Sequence, residues 1–214
     1  LQLVLGAGDV GAALVQQAFD GVVFTGSTEV AKLIEKRIAQ ADNDPVLIAE
    51  TGGQNVLVSD SSALPEQVVA DVLSSAFDSA GQRCSALRIL LLQEDVADHY
   101  YKMITEAINE FSLGDPRLLS TDIGPVIDQE AKQNLENHKA NMRKAARAYV
   151  ELEAPTNGHF VAPAVYLLDN LNQLQREVFG PILHIVRYKK ENLVNVLNEV
   201  NAKGYALTGG CHSR

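Results

Sequence analysis

Cys84 has the greatest capacity for covalent chemistry of any side chain in this sequence. A thiolate attacks a carbonyl carbon well and also leaves well, so a suitably placed cysteine can carry acyl transfer through a thioester. Cys84 follows Gly81-Gln82-Arg83 where a predicted amphipathic helix breaks, a place from which a side chain can face a cleft. A lone cysteine is more often an inert buried residue, so the residues alone leave a catalytic and a structural role equally open. Arg83 would help to stabilise a thiolate if its side chain pointed towards the sulfur.

Glu50 is the second residue with a chemical interpretation. It ends an apolar strand-like run, Val46 to Ala49, and is followed by Gly52 and Gly53. A carboxylate at the end of a buried strand, beside flexible backbone, is well placed to act as a general base. The alternative is a strand-end glutamate that turns to solvent, which is commoner in proteins generally.

Two glycine-containing turns have the composition of phosphate-binding sites. The run from Gly6 to Gly11 matches G-x-G-x-x-G, between a predicted strand and a predicted helix, as in dinucleotide-binding folds. The acidic residue expected about twenty positions later is not present, because the next strand ends in Phe24-Thr25-Gly26-Ser27. At Gly26 and Ser27 a second helix begins, whose free amides suit phosphate oxygens. For the run from Gly6 to Gly11, spacing alone favours an ordinary tight turn as much as a cofactor site. For Gly26 and Ser27, spacing alone favours an ordinary helix cap.

The elements around these residues alternate between strands and helices, which predicts an α/β fold with a mainly parallel sheet. Helical spacing is clearest between Leu64 and Ala80, where apolar residues mark one face. The predicted strands are Leu1 to Leu5, Gly21 to Phe24, Val46 to Ala49, Asn55 to Val58, Leu87 to Leu92, Val161 to Leu168 and Ile182 to Arg187, and the predicted helices cover 12–18, 27–41, 64–80, 96–111, 129–147 and 191–201.

Composition excludes several classes of function. The formal net charge is −9, which argues against contact with nucleic acid or with an anionic membrane. The densest basic stretch, Lys139 to Arg147, is interpreted as a solvated helix face. No apolar run reaches the roughly 20 residues of a membrane span. The two cysteines are too few for a disulfide scaffold and indicate a reducing compartment. The five histidines lack ligand spacing, so no metal site is predicted.

Four separated strings resemble the aldehyde dehydrogenase superfamily in order and spacing. They are Phe24-Thr25-Gly26-Ser27-Thr28-Glu29-Val30, Glu50-Thr51-Gly52-Gly53-Gln54-Asn55, Gly81-Gln82-Arg83-Cys84 and Glu177-Val178-Phe179-Gly180-Pro181. The text around Cys84, from Ala76 to Arg88, is most similar to the L-glutamate γ-semialdehyde (1-pyrroline-5-carboxylate) dehydrogenase module of the bifunctional proline utilization A family. The resemblance covers essentially the whole chain. It implies an α/β, aldehyde dehydrogenase-like fold with a parallel sheet in αβα layers, in which residues 1–50 are the C-terminal part of the NAD-binding domain and residues 51–214 are most of the catalytic domain.

The resemblance also implies a role for each site residue. Cys84 attacks the aldehyde carbon, and Glu50 activates the water that hydrolyses the resulting thioester. NAD is the implied cofactor, and its preference over NADP follows from the resemblance alone. Gly26 and Ser27 are expected at the NAD pyrophosphate, Glu177 at a ribose, Phe179 against that ribose and the nicotinamide, Gly8 and Gly11 near the cofactor, and Ser85 at the substrate carboxylate.

The same resemblance predicts a chain truncated at both ends. The family pairs the nucleophile's own N–H with an upstream Asn to form an oxyanion hole, and this Asn, with an upstream Lys at the cofactor ribose, would precede Leu1. The isolated segment is therefore predicted to be inactive, although its parent is an active dehydrogenase. The expected partner is a small-molecule aldehyde, and the parent is expected to be a homo-oligomer in the bacterial cytoplasm, with peripheral membrane association left open.

Three alternatives remain at this point. One is an aldehyde dehydrogenase for another substrate class. Another is a non-catalytic binding or structural protein that keeps the fold. The third is a classical dinucleotide-binding regulator that uses the run from Gly6 to Gly11.

Overall fold

The chain folds into two compact units. A computed structural model describes residues 1–40, 43–205 and 207–214. The first unit is Leu1–Gly52 and the second is Gly53–Arg214, so the division lies two residues beyond the predicted one. No helix in the described part of the chain has the length and apolar composition needed to cross a membrane.

The first unit is built around two parallel strands. Its elements are α1 (Gly8–Val15), β1 (Gly21–Gly26), α2 (Thr28–Ile38) and β2 (Val46–Thr51). The predicted strand at Leu1 to Leu5 is wrong, since these residues form no strand and are exposed. A strand needs a neighbour for its N–H and C=O groups, and none of the described residues pairs with this segment. The predicted end of the second helix, Ala41, lies outside the described residues.

The second unit contains a six-stranded sheet in the order β5-β6-β7-β4-β3-β8, in which only the β5–β6 pair is antiparallel. Short 3₁₀ turns cover Leu171–Gln173 and Lys190–Asn192, and Asp78–Gly81 is a turn that contains left-handed residues. Its longer elements are β3 (Val56–Ser59), α3 (Pro65–Phe77), β4 (Ile89–Gln93), α4 (Glu94–Ile108), α5 (Gln129–Ala145), β5 (Ala148–Glu151), β6 (Ala164–Leu168), β7 (Ile182–Tyr188), α6 (Leu193–Ala202) and β8 (Gly209–His212).

The central strand β4 is buried on both faces, and its side chains alternate between two apolar clusters. Leu90 and Leu92 lie in the cluster that contains the apolar faces of α3 and α4. Ile89 and Leu91 lie in the other, with Leu135 of α5. This alternation with a period of two residues is what a strand covered on both sides requires. The second unit is therefore a sheet between two helical layers, the αβα arrangement predicted from the sequence.

One basic residue departs from its predicted environment. Lys139 of α5 is buried, and its Nζ donates to the carbonyl oxygen of Ala162 at 3.1 Å and lies 3.4 Å from a carboxylate oxygen of Glu151. The interpretation of the basic stretch as a solvated face is therefore wrong for Lys139. Burial is possible because both the charge and the N–H groups have partners.

The parallel arrangement of β3, β4, β7 and β8 places their amino-terminal ends at one edge of the sheet. The segments that precede these strands therefore meet at this edge. They contain, in chain order, Asn55, the loop from Gly81 to Arg88, the segment from Glu177 to Pro181, and Thr208.

Candidate active site

A left-handed turn carries the chain from α3 to Cys84. Ser79, Ala80 and Gly81 have φ values of 58°, 53° and 64°. A residue other than glycine in this region costs roughly 1–2 kcal/mol, and such strain persists only where surrounding contacts fix it. The turn ends α3 abruptly and leaves Cys84 exposed three residues later. Its exposure distinguishes Cys84 from an inert core cysteine.

Gly81 also lies very close to another part of the same edge. A Cβ atom at this position would stand 2.2 Å from the carbonyl oxygen of Gly180 and 2.9 Å from that of Ala76. Only a residue without a side chain allows the loop before β4 and the segment before β7 to approach this closely. The sequence strings around Cys84 and Phe179 are thus in direct backbone contact.

Asn55 holds the Cys84 loop from the β3 side. Its buried side-chain Nδ2 donates to the carbonyl oxygens of Cys84 at 2.7 Å and Ala86 at 2.8 Å, and its Oδ1 accepts from the Thr208 N–H at 3.0 Å. Across residues 1–40, 43–205 and 207–214, no protein atom accepts a hydrogen bond from the Cys84 N–H. That amide is therefore available to a ligand oxygen beside the sulfur, as an oxyanion donor must be.

Arg88 holds the same loop from the β7 side. Its Nη1 donates to the carbonyl oxygens of Gly81 at 2.7 Å and Gly180 at 3.2 Å. Its Nη2 donates to the carbonyl oxygen of Arg83 and lies 3.4 Å from the Glu177 carboxylate. Burial lowers the pKa of Arg88, and the Glu177 carboxylate opposes that shift.

Arg83, by contrast, does not serve the sulfur directly. Its Nη2 donates to the carbonyl oxygens of Ser74 at 2.8 Å and Ser75 at 3.4 Å, in the last turn of α3. A cation at this end of a helix interacts favourably with the last carbonyl groups and with the helix dipole. Arg83 therefore acts as a cap for α3.

The first unit brings Gly26, Ser27 and Glu50 to the carboxyl ends of its two strands. In the register of β1 and β2, Thr25 lies beside Glu50 and Gly26 beside Thr51. Ser27 caps α2, where its Oγ accepts from the Val30 N–H at 3.2 Å. The first backbone N–H groups of α2 have no carbonyl partner within the helix. This exposed turn therefore fits a phosphate group, whose oxygens can accept from them. Glu50 lies on the neighbouring strand and is itself exposed.

Gly8 and Gly11 have a different setting. Both lie within α1, which begins at Gly8, and a Cβ atom at either would meet nothing within 4 Å. No strand precedes them in the described residues, so the strand–turn–helix context of the classical fingerprint is absent there.

Within the described residues, no three or more His, Cys, Asp or Glu side chains are grouped so that they could hold a metal ion.

The family model of the aldehyde dehydrogenases matches residues 1–214. The chain belongs to the aldehyde dehydrogenase family. Bifunctional protein PutA of Escherichia coli (strain K12) is 51% identical over 228 residues, which cover 100% of this chain and 17% of PutA. A 1-pyrroline-5-carboxylate dehydrogenase of Geobacillus sp. (strain WCH70) is 32% identical over 200 residues, 90% of this chain and 38% of that enzyme. The chain therefore spans less than a fifth of PutA.

Solved structures of aldehyde dehydrogenase relatives have the same fold. A structure of proline utilization A (PutA) with proline bound in remote sites has a TM-score of 0.94 and 53% identity, over 97% of this chain and 22% of that one. A 1-pyrroline-5-carboxylate dehydrogenase from Thermus, solved with bound NAD, has a TM-score of 0.88 and 27% identity, over 98% of this chain and 42% of that one. The predicted fold class is thereby confirmed.

Within this aldehyde dehydrogenase chain, the predicted site residues other than Gly8 and Gly11 form one group in each unit. Gly26, Ser27 and Glu50 share a strand edge in the first unit. Cys84, Ser85, Glu177 and Phe179 meet at the amino edge of the sheet in the second. Sequence reasoning assigned no role to Asn55 or Arg88. An arginine within the apolar run from Ala86 to Leu92 was the available signal, because a charge there has to find partners.

Proposed function

We propose that the protein containing this chain is an NAD-dependent dehydrogenase that oxidises L-glutamate γ-semialdehyde to L-glutamate in proline catabolism. The observation that carries the proposal is the exposed Cys84, whose loop is bonded to the segment containing Glu177 and Phe179. A thiol nucleophile beside two family cofactor positions suits oxidation of an aldehyde through a covalent adduct. The names of the similar PutA and 1-pyrroline-5-carboxylate dehydrogenase proteins support the choice of substrate.

In the proposed reaction the Cys84 thiolate adds to the aldehyde carbon and forms a thiohemiacetal. The Cys84 N–H donates to the developing oxyanion, together with an Asn side chain that the family supplies upstream of this sequence. Loss of a hydride from the carbon leaves a thioester on Cys84. Glu50 then removes a proton from water, which attacks the thioester and releases the free acid and the thiolate. Family members that transfer the acyl group to coenzyme A typically lack this glutamate.

NAD is proposed to accept that hydride on its nicotinamide. The exposed N-terminus of α2 would hold its pyrophosphate through backbone amides beside Gly26 and Ser27. Glu177 would accept a hydrogen bond from a ribose hydroxyl, and Phe179, 44% exposed, would lie against the ribose and nicotinamide. Gly8 and Gly11 stay proposed cofactor neighbours through the family resemblance alone.

Ser85 is proposed to bind the substrate carboxylate. It is exposed beside Cys84, and its carbonyl oxygen accepts from Thr208 Oγ1 at 3.4 Å. A contact between Ser85 and a carboxylate would favour a semialdehyde that bears a carboxylate over a simple aliphatic aldehyde. We also propose that the parent protein is a homo-oligomer in the bacterial cytoplasm, with peripheral membrane association as an alternative. The isolated 214-residue chain is proposed to be inactive.

The test uses the full-length protein that contains this chain. NADH formation is followed with glutamate semialdehyde and, separately, with a simple aliphatic aldehyde. A strong preference for the semialdehyde that is lost in Cys84→Ser supports the proposal. Equal or reversed preference removes the proline-pathway assignment and leaves an aldehyde dehydrogenase for another substrate.

A thiol measurement separates catalysis from a non-catalytic role. Cys84 and Cys211 are both exposed, so accessibility is similar and reactivity reports on local chemistry. A catalytic Cys84 is expected to alkylate faster than Cys211. Equal rates, with no NADH formation, would favour a binding or structural protein.

A further inference from the structure

Arg88 joins the two segments that contain the proposed nucleophile and the proposed cofactor contacts. Its side chain is 2% exposed and its guanidinium bonds to both segments, to Gly81 and Arg83 on one side and to Gly180 and Glu177 on the other. The guanidinium carbon also lies 5.1 Å from the centre of the Phe179 ring. One rigid planar group therefore contacts the Cys84 loop, the proposed ribose ligand and the proposed nicotinamide contact.

The chemistry of this group suits it for such a link. Arginine presents several N–H donors in a fixed plane, whereas lysine offers a single flexible ammonium. The bonds from Nη1 reach two carbonyl oxygens that belong to different segments, Gly81 and Gly180. A buried charge is stable only with such partners, so the positions of the two segments and of the guanidinium depend on one another.

The backbone of Arg88 is fixed independently of its side chain. Its N–H donates to the carbonyl oxygen of Asn55 at 3.1 Å, and its carbonyl oxygen accepts from the His184 N–H at 3.0 Å. These bonds tie it to the strands on both sides, β3 and β7. The guanidinium is thus held on a rigid part of the sheet while it contacts two loops.

We propose that Arg88 is a positioning residue for hydride transfer, which it serves by fixing Phe179 and Glu177 relative to the Cys84 loop. The inference rests on the proposed function and adds to it a residue that touches no reacting atom. Asn55 holds the Cys84 loop at the carbonyl oxygens of Cys84 and Ala86 without the help of Arg88, so addition of Cys84 to a carbonyl should depend much less on Arg88 than hydride transfer does. Hydride transfer requires the Cys84 loop and the segment from Glu177 to Gly180 to be correctly placed relative to each other, so it should not tolerate a change at Arg88.

The test compares Arg88→Lys with Arg83→Lys in the full-length protein. Both variants keep the charge, and Arg83 contacts α3 carbonyls without touching the segment from Glu177 to Gly180. Three quantities are measured: hydrolysis of an activated ester without cofactor, which needs the thiol but no hydride; the NAD dissociation constant by calorimetry; and the isotope effect with an aldehyde deuterated at the reacting carbon.

For Arg88→Lys we expect NADH formation to fall about a hundredfold, the cost typical of a small misplacement of reacting groups. NAD binding should weaken about tenfold through loss of charged hydrogen bonds. The isotope effect should rise, and ester hydrolysis should stay within about threefold of the unsubstituted protein, because the thiol step is separate from hydride transfer. Arg83→Lys should change none of these quantities.

Equal losses in ester hydrolysis and NADH formation would overturn the inference, and so would no loss in either. If Arg88→Lys fails to fold, Arg88→Gln, which removes the buried charge, is measured in the same way. Unfolding of both variants would also overturn the inference, because Arg88 would then be a purely structural residue. An unsubstituted protein that forms no NADH from any aldehyde would instead contradict the proposed function itself.

Discussion

Gly81 is subject to two separate constraints, a positive φ of 64° and a close approach to the Gly180 carbonyl oxygen. Substitution by alanine imposes left-handed strain and also places a methyl group 2.2 Å from that oxygen. We expect Gly81→Ala to lower the free energy of unfolding by more than about 3 kcal/mol, since backbone has to move. In the full-length protein, NADH formation should be abolished. Chemical unfolding and a steady-state assay measure the two effects.

Gly204 provides a matched control for this prediction. Its φ is +73°, but a Cβ atom there would meet nothing within 4 Å. Gly204→Ala should therefore cost only the conformational strain, about 1–2 kcal/mol, and leave activity intact. Similar losses from both substitutions would show that the contact between the two segments is not what requires glycine at position 81.

Asn55→Asp tests the other side of the Cys84 loop. The substitution keeps the size of the side chain but replaces the two Nδ2 donors with a carboxylate oxygen facing the carbonyl oxygens of Cys84 and Ala86. One buried and one partly buried acceptor lose their donor, which should cost about 2–3 kcal/mol of unfolding free energy. Alkylation of Cys84 should slow because its loop loosens. The exposed Asn137 serves as a control. Its Oδ1 accepts a hydrogen bond from Gln133 Nε2, and an aspartate oxygen can accept the same bond, so Asn137→Asp should be neutral. A neutral Asn55→Asp would show that Asn55 does not hold the Cys84 loop.

The site residues differ in how far sequence could reveal them. Cys84 and Glu50 were found because their residue types have intrinsic reactivity and their surrounding strings resemble those of a family. Asn55 and Arg88 act through contacts with carbonyl oxygens of residues distant in sequence, such as Gly180. No local spacing encodes such contacts, because they depend on which strands are neighbours in the sheet.

The same distinction holds for whole elements. Helices α3 and α4 were predicted because an apolar face repeats within each helix itself. Strands β5 and β8 were not predicted: β5 is short and only partly buried, and β8 has the sequence Gly-Gly-Cys-His, with low strand propensity. Their structure comes from pairing with β6 and β3. Leu1 to Leu5 was predicted as a strand but forms none. Its composition suits a strand, but no described residue pairs with it.

The contact between α5 and β7 includes a pair of histidines, of which His184 is buried and His138 is partly buried. The Nε2 atoms of His138 and His184 lie 2.9 Å apart, and His184 Nδ1 lies 3.1 Å from the Arg88 carbonyl oxygen. A carbonyl oxygen only accepts, so His184 is protonated on Nδ1 and accepts from His138 at Nε2. Burial lowers the pKa of His138 to about 4, and the charge of Arg176 adds to that shift. Burial lowers the pKa of His184 to about 3; the neighbouring His138 adds to that shift, and the hydrogen bond to the Arg88 carbonyl oxygen opposes it.

These lowered pKa values predict acid sensitivity. The unfolded chain takes up protons near pH 6.5 while the folded pair stays neutral, so the free energy of unfolding falls as the pH decreases from about 6.5 towards 4. Between pH 7 and pH 5 the loss should be about 2 kcal/mol for each independent histidine. In His138→Gln an uncharged amide can donate to His184 Nε2, and we expect a shallower pH dependence. Urea unfolding at both pH values measures it; an unchanged slope would show that the pair titrates normally in the folded state.

Helix α2 and helix α1 offer competing positions for the cofactor phosphates. The proposed site at the N-terminus of α2 predicts that Gly26→Val weakens NAD binding by at least about tenfold, because a side chain would crowd the exposed amides. Gly8→Val is the comparison variant for the competing position. A Cβ at Gly8 meets nothing within 4 Å, whereas one at Gly26 would stand 2.4 Å from the Phe24 ring, so circular dichroism checks that both variants are folded. Calorimetry on the full-length protein measures both dissociation constants. Loss of binding in Gly8→Val with binding retained in Gly26→Val would reverse the assignment in favour of the run from Gly6 to Gly11.

At the scale of the molecule, the two units differ in how well they bury apolar surface. The second unit has two apolar clusters, one on each face of its sheet. In the first unit, Val23 is 79% and Val46 63% exposed on a two-stranded sheet, and α1 has no buried residue. Among its described apolar residues only Ala31 and Ile34 are buried, so in the isolated 214-residue chain the first unit should unfold locally more readily than the second.

This difference predicts the behaviour of the isolated 214-residue chain. Limited proteolysis should cleave within residues 1–52 first and leave a resistant product that begins near Gly53, because local opening exposes the backbone to the protease. The chain should form no NADH from glutamate semialdehyde, since Glu50 and the proposed pyrophosphate site both lie in the unit that opens. A sustained rate that disappears in Cys84→Ser, or equal resistance of both units to protease, would show that the first unit is stable and competent without further chain.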